Sequence, residues 1–394
     1  MIEDQKKLFN LKEDIHYLNC AYKTPLLKSV EEAAIKALIR NRNPSDITPV
    51  DFFKETEDVR VLFGEIINCL PSEVAIIPSA SYGFSSVLKN IPCLKGQHAI
   101  VVENDFPSDF FSIKKWCETN NAELKTVKAI EKRGLIGESW NDNIINSINE
   151  KTAVVILSSI HWMNGLKFDL STIGKKCKSM GAKFIVDGAQ SVGVMPIDVK
   201  KFNIDALICP TYKWLFGPYS LGLAYMGSCF NHGTPIEESW MNRTNALDFS
   251  NLSNYDPEYT PNAGRYNVGE TSNFILMPML KQSLVQVNIW LNSNIQDYSK
   301  ELIKPLLSYL KNLGVTFENE AYFSSHLFSL KLPKEFNTEL LKENLIKYNI
   351  YLSIRGNSLR VSVHVFNTPK DIEKLMEVIE LTKTTNHNRS VHIK

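Results

Sequence analysis

The feature that most constrains the fold is an alternation of short apolar runs with longer helical patterns between residues 73 and 226. Helical patterns lie between the runs, for example over residues 170–180. Strands that alternate with helices in this way form mostly parallel sheets with helices on both faces, so the sequence predicts an α/β fold. The apolar runs are rich in β-branched residues, and we predict strands over residues 74–77, 98–102, 153–157, 183–186, 206–209 and 221–225.

Further patterns flank this block. Two amphipathic helices are predicted over residues 28–40 and 52–69, loops rich in Pro, Asn and Gly over 231–273, and one long helix over about 279–313. Residues 322–381 have the pattern strand, helix, strand, strand, helix, which is typical of a small α+β unit. We therefore predict an N-terminal arm (1–25), a large α/β domain (26–270) and a smaller C-terminal α+β domain with a long connecting helix (271–394).

Charge and composition disfavour several classes of partner. Lys and Arg number 44 against 43 Asp and Glu, so the net charge of +1 supplies no field for holding nucleic acid or an anionic membrane. We find no apolar run of membrane-spanning or signal-peptide length, and the expected compartment is cytoplasmic. Seven cysteines at irregular spacing, without a CxxC pair, favour reduced thiols over disulfides or a zinc site, and we predict no metal.

Two motifs carry side chains suited to catalysis. Asp187 ends a predicted strand in VDGAQSVG, at the edge where α/β sheets bind ligands, and a buried carboxylate there needs a positive partner. After one further strand, Lys213 lies in PTYKWLFGP, where aromatic neighbours would desolvate the amine and lower its pKa, so that it can form a Schiff base. Taken singly, Asp187 is also compatible with a turn before glycine, and Lys213 with an exposed lysine whose stem crosses an aromatic surface.

Together, VDGAQSVG and TYKWLFGP resemble the class V branch of fold-type I pyridoxal-phosphate enzymes, on its kynureninase and isopenicillin-N-epimerase-like side. The resemblance extends over about residues 19–379. It implies a seven-stranded-type sheet, pyridoxal 5′-phosphate as cofactor, a small amino acid as substrate, and a homodimer with shared active sites. It also implies that Lys213 attaches the cofactor aldehyde and moves the substrate Cα proton, that Asp187 pairs with the pyridine nitrogen, and that Gln190 hydrogen-bonds the ring hydroxyl.

The resemblance implies further cofactor contacts. In PSASYGF a strand is followed by a helix, whose N-terminus suits a phosphate, and Ala80 and Ser81 would contact that phosphate together with Tyr212. Phe106, in FPSD, would stack on the pyridine ring, and Ser158 would lie near the same ring. Ordinary interpretations stay open here, since Phe106 is also compatible with a core position and Ser81 with a helix cap.

Residues farther along the chain complete the predicted site. Trp240 and Asn273 resemble residues that lie near phosphate and substrate across a dimer interface. Arg360, in SLRVS, would bind the substrate α-carboxylate through its guanidinium fork, although an ordinary surface ion pair is the alternative. We expect Arg355, just before a predicted turn, at the surface, and His161 in a structural role.

The motifs define the cofactor better than the reaction. We expect an aminotransferase, with a carbon–sulfur or carbon–carbon β-lyase or an epimerase as the alternative. A cysteine desulfurase is disfavoured, because such enzymes need a mobile thiol in the C-terminal half and the last cysteine here is Cys229. A cofactor-binding regulator without turnover is disfavoured because it would leave Lys213 and Arg360 together unexplained. No role follows for Arg265, and the substrate side chain stays open.

Overall fold

The secondary structure is that of a computed structural model, which describes residues 2–333, 336–355 and 358–383 of the 394. The turn expected at 356–357 and the end of the predicted C-terminal domain lie outside the described residues. The strands are β1 (His16–Tyr17), β2 (Val74–Ile77), β3 (His98–Val102), β4 (Glu123–Val127), β5 (Thr152–Ser158), β6 (Lys183–Asp187), β7 (Ala206–Pro210), β8 (Gly222–Met226), β9 (Leu327–Leu330), β10 (Ile350–Tyr351), β11 (Ser353–Arg355) and β12 (Ser358–Ser362). The α-helices are α1 (Lys28–Arg40), α2 (Asp51–Ile67), α3 (Ala80–Lys89), α4 (Pro107–Asn120), α5 (Gly137–Ser147), α6 (Leu170–Met180), α7 (Leu276–Trp290), α8 (Asn292–Asn312), α9 (Thr338–Lys347) and α10 (Pro369–Glu380). None of these described helices is both long and apolar enough to cross a membrane.

Seven strands form the central sheet, in the order β2-β8-β7-β6-β5-β3-β4. Strand β8 is antiparallel to β2 and β7, and every other neighbouring pair is parallel. The prediction of a mostly parallel, seven-stranded sheet is confirmed, although the edge strand β4 is not among the predicted strands. Because β2, β3, β5, β6 and β7 run in one direction, their carboxyl ends meet at the same edge of the sheet.

Helices bury both faces of this sheet. In β2, Val74 and Ile76 belong to one apolar core and Ala75 and Ile77 to the other, since successive side chains of a strand point to opposite faces. The first core receives side chains from α2, α5, α6 and α7, and the second from α3 and α4. Burial on both faces explains why the strands are nearly continuous apolar runs, and it confirms the predicted α/β arrangement.

The prediction of a single long helix over about 279–313 is wrong in one respect. The segment forms two helices, α7 and α8, which are separated at Leu291, where the backbone has a positive φ of 60°. Helix α7 buries Leu284 in a core of the central sheet, and α8 begins in that same core with Ile295 and continues with Leu306 into a different core. The break at Leu291 precedes this passage from one core to the other.

A third apolar core lies in the C-terminal part of the chain. Strands β9, β12 and β11 form an antiparallel sheet that packs with α8, α9 and α10, in agreement with the predicted strand and helix order. Strand β10 instead pairs in parallel with β1, and Leu18 of the N-terminal segment is fully buried in this core. His16 Nδ1 also lies 2.8 Å from Asp371 Oδ1. The N-terminal segment is thus attached to the C-terminal part, and the predicted domain boundaries stay a prediction.

Candidate active site

A cavity of about 450 Å³ lies at the carboxyl edge of the central sheet. Of the predicted site residues, Phe106, Gln190, Tyr212, Lys213 and Arg360 line it. The chain segments that carry them are far apart in sequence, and the fold brings them together because strands β3, β6 and β7 end at this edge while β12 approaches from the C-terminal part. The remaining lining residues are Ala21, Tyr22, Lys23, Trp162, Tyr219 and Arg355.

Lys213 follows the end of β7 and is 8% exposed. Its Nζ lies 5.6 Å from the ring centroid of Phe106 and 5.8 Å from that of Tyr212, and within the described residues it makes no hydrogen bond or ion pair. Burial lowers the pKa of the amine, against the opposing effect of the Asp187 carboxylate. Because a neutral amine is the nucleophilic form, this environment favours attack on a carbonyl carbon.

Asp187 ends β6 and is buried beside this amine. Its Oδ1 accepts a hydrogen bond of 2.8 Å from the backbone N–H of Ala189, in the turn that follows the strand. Burial raises the pKa of Asp187, while the positive charge of Lys213 opposes that increase. Asp187 therefore stabilises the turn that follows β6 and is also a buried carboxyl group, so the two interpretations of this residue apply together.

Two further buried carboxyl groups, Asp105 and Asp109, lie close to Asp187 and were not predicted. Ser158 Oγ donates a hydrogen bond of 2.6 Å to Asp105 Oδ1, and burial raises the pKa of Asp105 to about 7. Neither carboxyl oxygen of Asp109 has a hydrogen-bond partner among the described residues, and burial, followed by the charge of Asp187, holds its pKa well above the usual range. Three carboxyl groups buried near one another need a cationic or hydrogen-donating partner. No group of His, Cys, Asp and Glu in the described ranges is arranged to hold a metal ion.

The side-chain amide of Gln190 is held in one orientation. Its Oε1 accepts a hydrogen bond of 2.9 Å from Trp214 Nε1, and its Nε2 donates one of 3.1 Å to the backbone oxygen of Ala21. The buried His326 donates through Nε2 to the backbone oxygen of Gln190 at 2.8 Å. Because the indole N–H of Trp214 can only donate, the atom of the Gln190 amide that faces it must be the oxygen. The NH₂ group of Gln190 is then the donor available to the cavity.

The predicted phosphate residues Ala80 and Ser81 form the first turn of α3, directly after β2. Ser79 Oγ accepts a hydrogen bond of 3.2 Å from the backbone N–H of Tyr82 and so caps the helix, and its Oγ lies 3.0 Å from Ser81 Oγ. Ser79 rather than Ser81 is therefore the capping residue. Ala80 and Ser81 are at the same edge of the sheet as Lys213 but do not line its cavity. The unpaired N–H groups of a helix N-terminus favour an anion.

Trp240 and Asn273 do not reach the Lys213 cavity within one chain. Both line a separate pocket with Phe52 and Phe274. Trp240 is 41% exposed, and its ring lies 6.4 Å from that of Phe52 and 5.4 Å from that of Phe249. We call the aromatic group of Phe52, Trp240, Phe249 and Phe274 the Trp240 patch. Asn273 Oδ1 accepts a hydrogen bond of 2.9 Å from the backbone N–H of Leu276, the first residue of α7.

Arg360, on β12, is only 2% exposed. Its Nη1 donates a hydrogen bond of 2.7 Å to the backbone oxygen of Trp162, and its Nη2 one of 3.3 Å to Ser353 Oγ. Among the described residues its Nε has no partner, and no carboxylate forms an ion pair with it, so the alternative of a surface ion pair is wrong. Burial, followed by the charge of Arg355, lowers its pKa to about 10. Arg355, expected at the surface, is half-buried and lines the same cavity.

His161 and Arg265 lie outside the cavity lining. The ring nitrogens of His161 are each 3.1 Å from an acceptor, Asn164 Oδ1 and the backbone oxygen of Asn104. Burial lowers its pKa to about 4, so the ring stays neutral at neutral pH, which fits the expected structural role. Arg265 Nη1 donates a hydrogen bond of 3.1 Å to the backbone oxygen of Gly233.

The family comparison accounts for this combination of fold and site. The model of the family described as aminotransferase class-V matches residues 41–375, which is most of the chain. The chain therefore belongs to the class-V aminotransferase family. It is an enzyme of the pyridoxal-phosphate-dependent kind, an aminotransferase or a related lyase.

Individual relatives are distant. An uncharacterized aminotransferase, YcbU of Bacillus subtilis (strain 168), is 24% identical over 328 residues, which cover 83% of each chain. The cysteine desulfurase IscS of Neisseria meningitidis serogroup C (strain 053442) is 28% identical over 227 residues, covering 53% of this chain and 52% of that one. Among solved structures, the cystine C-S lyase C-DES in complex with its product cysteine persulfide has a TM-score of 0.83 at 18% identity, covering 94% and 99% of the two chains. At that identity the likeness shows the fold.

Proposed function

We propose that the chain binds pyridoxal 5′-phosphate through Lys213 and is an aminotransferase for a small amino acid. The observation that carries the proposal is the buried Lys213 amine, unpaired within the described residues, which shares a cavity with the buried guanidinium of Arg360 and lies near Asp187. When bound, pyridoxal phosphate supplies an electron sink for the bond that breaks at the substrate Cα.

The side chains of the cavity fit this cofactor. None of the buried carboxyl groups of Asp105, Asp109 and Asp187 forms an ion pair among the described residues, and a protonated ring nitrogen held by Asp187 would be such a partner. The NH₂ group of Gln190 would donate to the ring hydroxyl, and Phe106 would pack on the ring face. Further contacts are assigned to Ser158 near the ring and to Ala80, Ser81 and Tyr212 at the phosphate.

The residues of the cavity divide the chemistry between them. Arg360 would bind the α-carboxylate and so fix the orientation of the substrate beside Lys213. Lys213 Nζ would take the Cα proton as a general base, for which its lowered pKa is suited. In an aminotransferase Lys213 would carry this proton away from Cα rather than return it there.

A lyase is the second candidate, because the solved cystine C-S lyase C-DES has the same fold. A route through a protein persulfide is disfavoured, since no cysteine lines the Lys213 cavity. Cys229, the last cysteine of the sequence, follows β8, and its Sγ lies 3.5 Å from Asp205 Oδ1, away from that cavity. A lyase that expels its leaving group without a protein thiol is distinguished from an aminotransferase by its products.

Reduction with borohydride tests the cofactor attachment. The purified protein should be yellow, and borohydride should fix the cofactor to the peptide that contains Lys213. Lys213→Ala should lose this labelling and lower kcat by roughly a hundredfold to ten-thousandfold, because the general base is removed. The exposed Lys175, on α6, provides the control Lys175→Ala, which should behave as wild type. Labelling of another lysine would overturn the proposal.

Product analysis tests the reaction type in the same preparation. With an amino acid and an oxo-acid acceptor, an aminotransferase should form the corresponding oxo acid and a new amino acid in equal amounts. Release of ammonia or sulfide without transfer would assign the lyase instead, and recovery of the inverted amino acid would assign an epimerase.

We also propose that two chains form a homodimer in which each contributes to the other's site. The proposal is supported by the Trp240 patch, in which the exposed Trp240 packs against half-buried phenylalanine rings. It also explains why Trp240 and Asn273, predicted to lie near the cofactor, line a pocket separate from that of Lys213.

A further inference from the structure

We propose that Arg355 forms a second anion-binding position in the Lys213 cavity, so that the preferred substrate is an α-amino acid with an anionic side chain, such as a carboxylate or a sulfinate. This inference rests on the proposed function and names the substrate class of the same site. Arg360 would bind the α-carboxylate, and Arg355 the group at the far end of the side chain.

Strand register places the two arginines on one face of their sheet. Strands β11 and β12 are antiparallel, with Ser353 opposite Arg360 and Arg355 opposite Ser358. Side chains two residues apart on a strand share a face, so Arg355 lies on the same face as Ser353 and therefore on that of Arg360. The hydrogen bond from Arg360 Nη2 to Ser353 Oγ is consistent with this, and both guanidinium groups line the cavity.

Trp162 lies next to both arginines. Its backbone oxygen accepts the hydrogen bond from Arg360, whereas its ring centroid lies 5.8 Å from Cζ of Arg355. The indole itself is held by a hydrogen bond of 2.8 Å from its Nε1 to the backbone oxygen of Asn104, and its ring lies 5.6 Å from that of Phe106, which neighbours Lys213. A substrate bound over Lys213 and Phe106 would thus have Arg360 and Arg355 at two different positions around it.

The part of the cavity that carries the two arginines has positive charge without a lining carboxylate. Besides Lys213, three lining residues are cationic, namely Lys23, Arg355 and Arg360, and no lining residue is acidic. In the described part of the chain, no carboxylate forms an ion pair with either arginine, and the Nε of each has no hydrogen-bond partner. One α-carboxylate at Arg360 would leave Arg355 without a counter-ion. A second anionic group compensates that charge and matches the planar fork of a guanidinium.

Matched pairs of substrates test this inference. For the wild-type enzyme, kcat/KM should be greater for aspartate or cysteine sulfinate than for asparagine, and for glutamate than for glutamine, by roughly tenfold or more, as expected for a charge-assisted hydrogen bond. Arg355→Gln should bring these ratios close to one by lowering kcat/KM for the anionic substrates only. Arg355→Lys should give intermediate ratios, because it keeps the charge but loses the fork. Arg133, on an exposed turn, provides the control Arg133→Gln, which should keep the wild-type ratios.

An equilibrium measurement separates this inference from the proposed function. Succinate should raise the melting temperature of the holoenzyme more than its half-amide succinamate does, and Arg355→Gln should abolish the difference. A wild-type enzyme that prefers neutral amino acids, or a variant that affects aspartate and asparagine equally, would overturn the anionic-substrate inference while the aminotransferase stands. If Arg355→Gln instead lowers the cofactor absorbance and lowers the activity towards every substrate by the same factor, Arg355 would be assigned to binding of the cofactor phosphate. If no amino acid is turned over, the proposed function fails, and the succinate comparison still decides whether Arg355 binds a second anionic group.

Discussion

At the scale of single residues, the most unusual environment is that of His364. The side chain is fully buried among aromatic rings, with centroid distances of 4.7 Å to Phe216, 5.6 Å to Trp290 and 6.0 Å to Trp214. Neither of its nitrogens has a hydrogen-bond partner among the described residues. Burial, followed by the nearby His326, lowers the pKa of His364 to about 3. The native protein therefore holds a neutral imidazole at a pH where the unfolded chain would protonate it.

The substitution His364→Phe should reduce the loss of stability in acid. Below a pH of about 6.5 the unfolded chain binds a proton that the native state does not accept until about pH 3, so the free energy of unfolding falls as the pH is lowered through this window. Between pH 8 and pH 5 this residue should account for a loss of about 2 kcal/mol, which the phenylalanine variant should not show. Urea unfolding at the two pH values measures the difference, with the same change at the exposed His232 as control. Equal losses in wild type and His364→Phe would contradict the assignment.

Some residues of the candidate site could be predicted from the sequence, and others could not. Asp187 and Lys213 could be predicted because each follows a strongly apolar strand, and ligand sites lie at that edge. Asp105 and Asp109 could not, because an aspartate near Phe106-Pro107 is ordinary at a helix start, and only packing makes these carboxyl groups buried neighbours of Asp187. Arg355 was expected at the surface but is half-buried. Its burial depends on the pairing of β11 with β12, which the sequence alone does not show.

At the scale of elements, the turn after β6 and the segment that carries Lys213 pack directly against each other. Gly193 has a φ of +92°, and a Cβ added there would lie 2.5 Å from the backbone oxygen of Trp214. Only glycine satisfies both the backbone conformation and this close approach. The two glycine-containing motifs of the sequence are thus parts of one packed unit.

Gly193→Ala should therefore destabilise the protein more than a glycine-to-alanine change at another position of positive φ where the added Cβ meets no other atom. Gly181 has a φ of +73° with no atom within 4 Å of an added Cβ, so Gly181→Ala should report the backbone term alone, about 1–2 kcal/mol. Gly193→Ala adds the clash with Trp214 and should lose about 1–3 kcal/mol more. Chemical unfolding of both variants gives the comparison, and cofactor absorbance should fall in Gly193→Ala only. Equal losses in the free energy of unfolding of the two variants would show that the close approach of Gly193 to Trp214 does not affect stability.

Elements differ in how well the sequence predicts them. The buried strands were predicted within a residue or two because they are continuous apolar runs, and helices α1 and α6 were predicted at their observed bounds. Strand β4 was missed because it lies at the edge of the sheet and carries the exposed Glu123 and the half-buried Lys125, which interrupt the apolar pattern. The break at Leu291 has neither proline nor glycine to mark it. After the break, α8 passes from the core that α7 fills, where Ile295 is buried, to the C-terminal core, where Leu306 is buried.

At the scale of the whole molecule, the candidate site needs parts from the entire chain. Residues 21–23 come from the N-terminal segment, 106 to 219 from the edge of the central sheet, and 355 and 360 from the C-terminal sheet. No single segment carries the site, so the cavity exists only when the central sheet and the C-terminal part are assembled. The proposed dimer extends this assembly to a second chain, through the Trp240 patch.

Mixing two inactive variants tests whether active sites are shared. If Trp240 acts on the partner's cofactor, a dimer of Lys213→Ala and Trp240→Ala chains has one site with both substitutions and one with neither. Random exchange places half of the chains in such mixed dimers, so about one quarter of the wild-type activity should return. If each site is built within one chain, every site carries a substitution and the mixture should stay inactive. Sedimentation of the same mixture confirms that chains have exchanged, and an active monomer in that experiment would contradict the dimer itself.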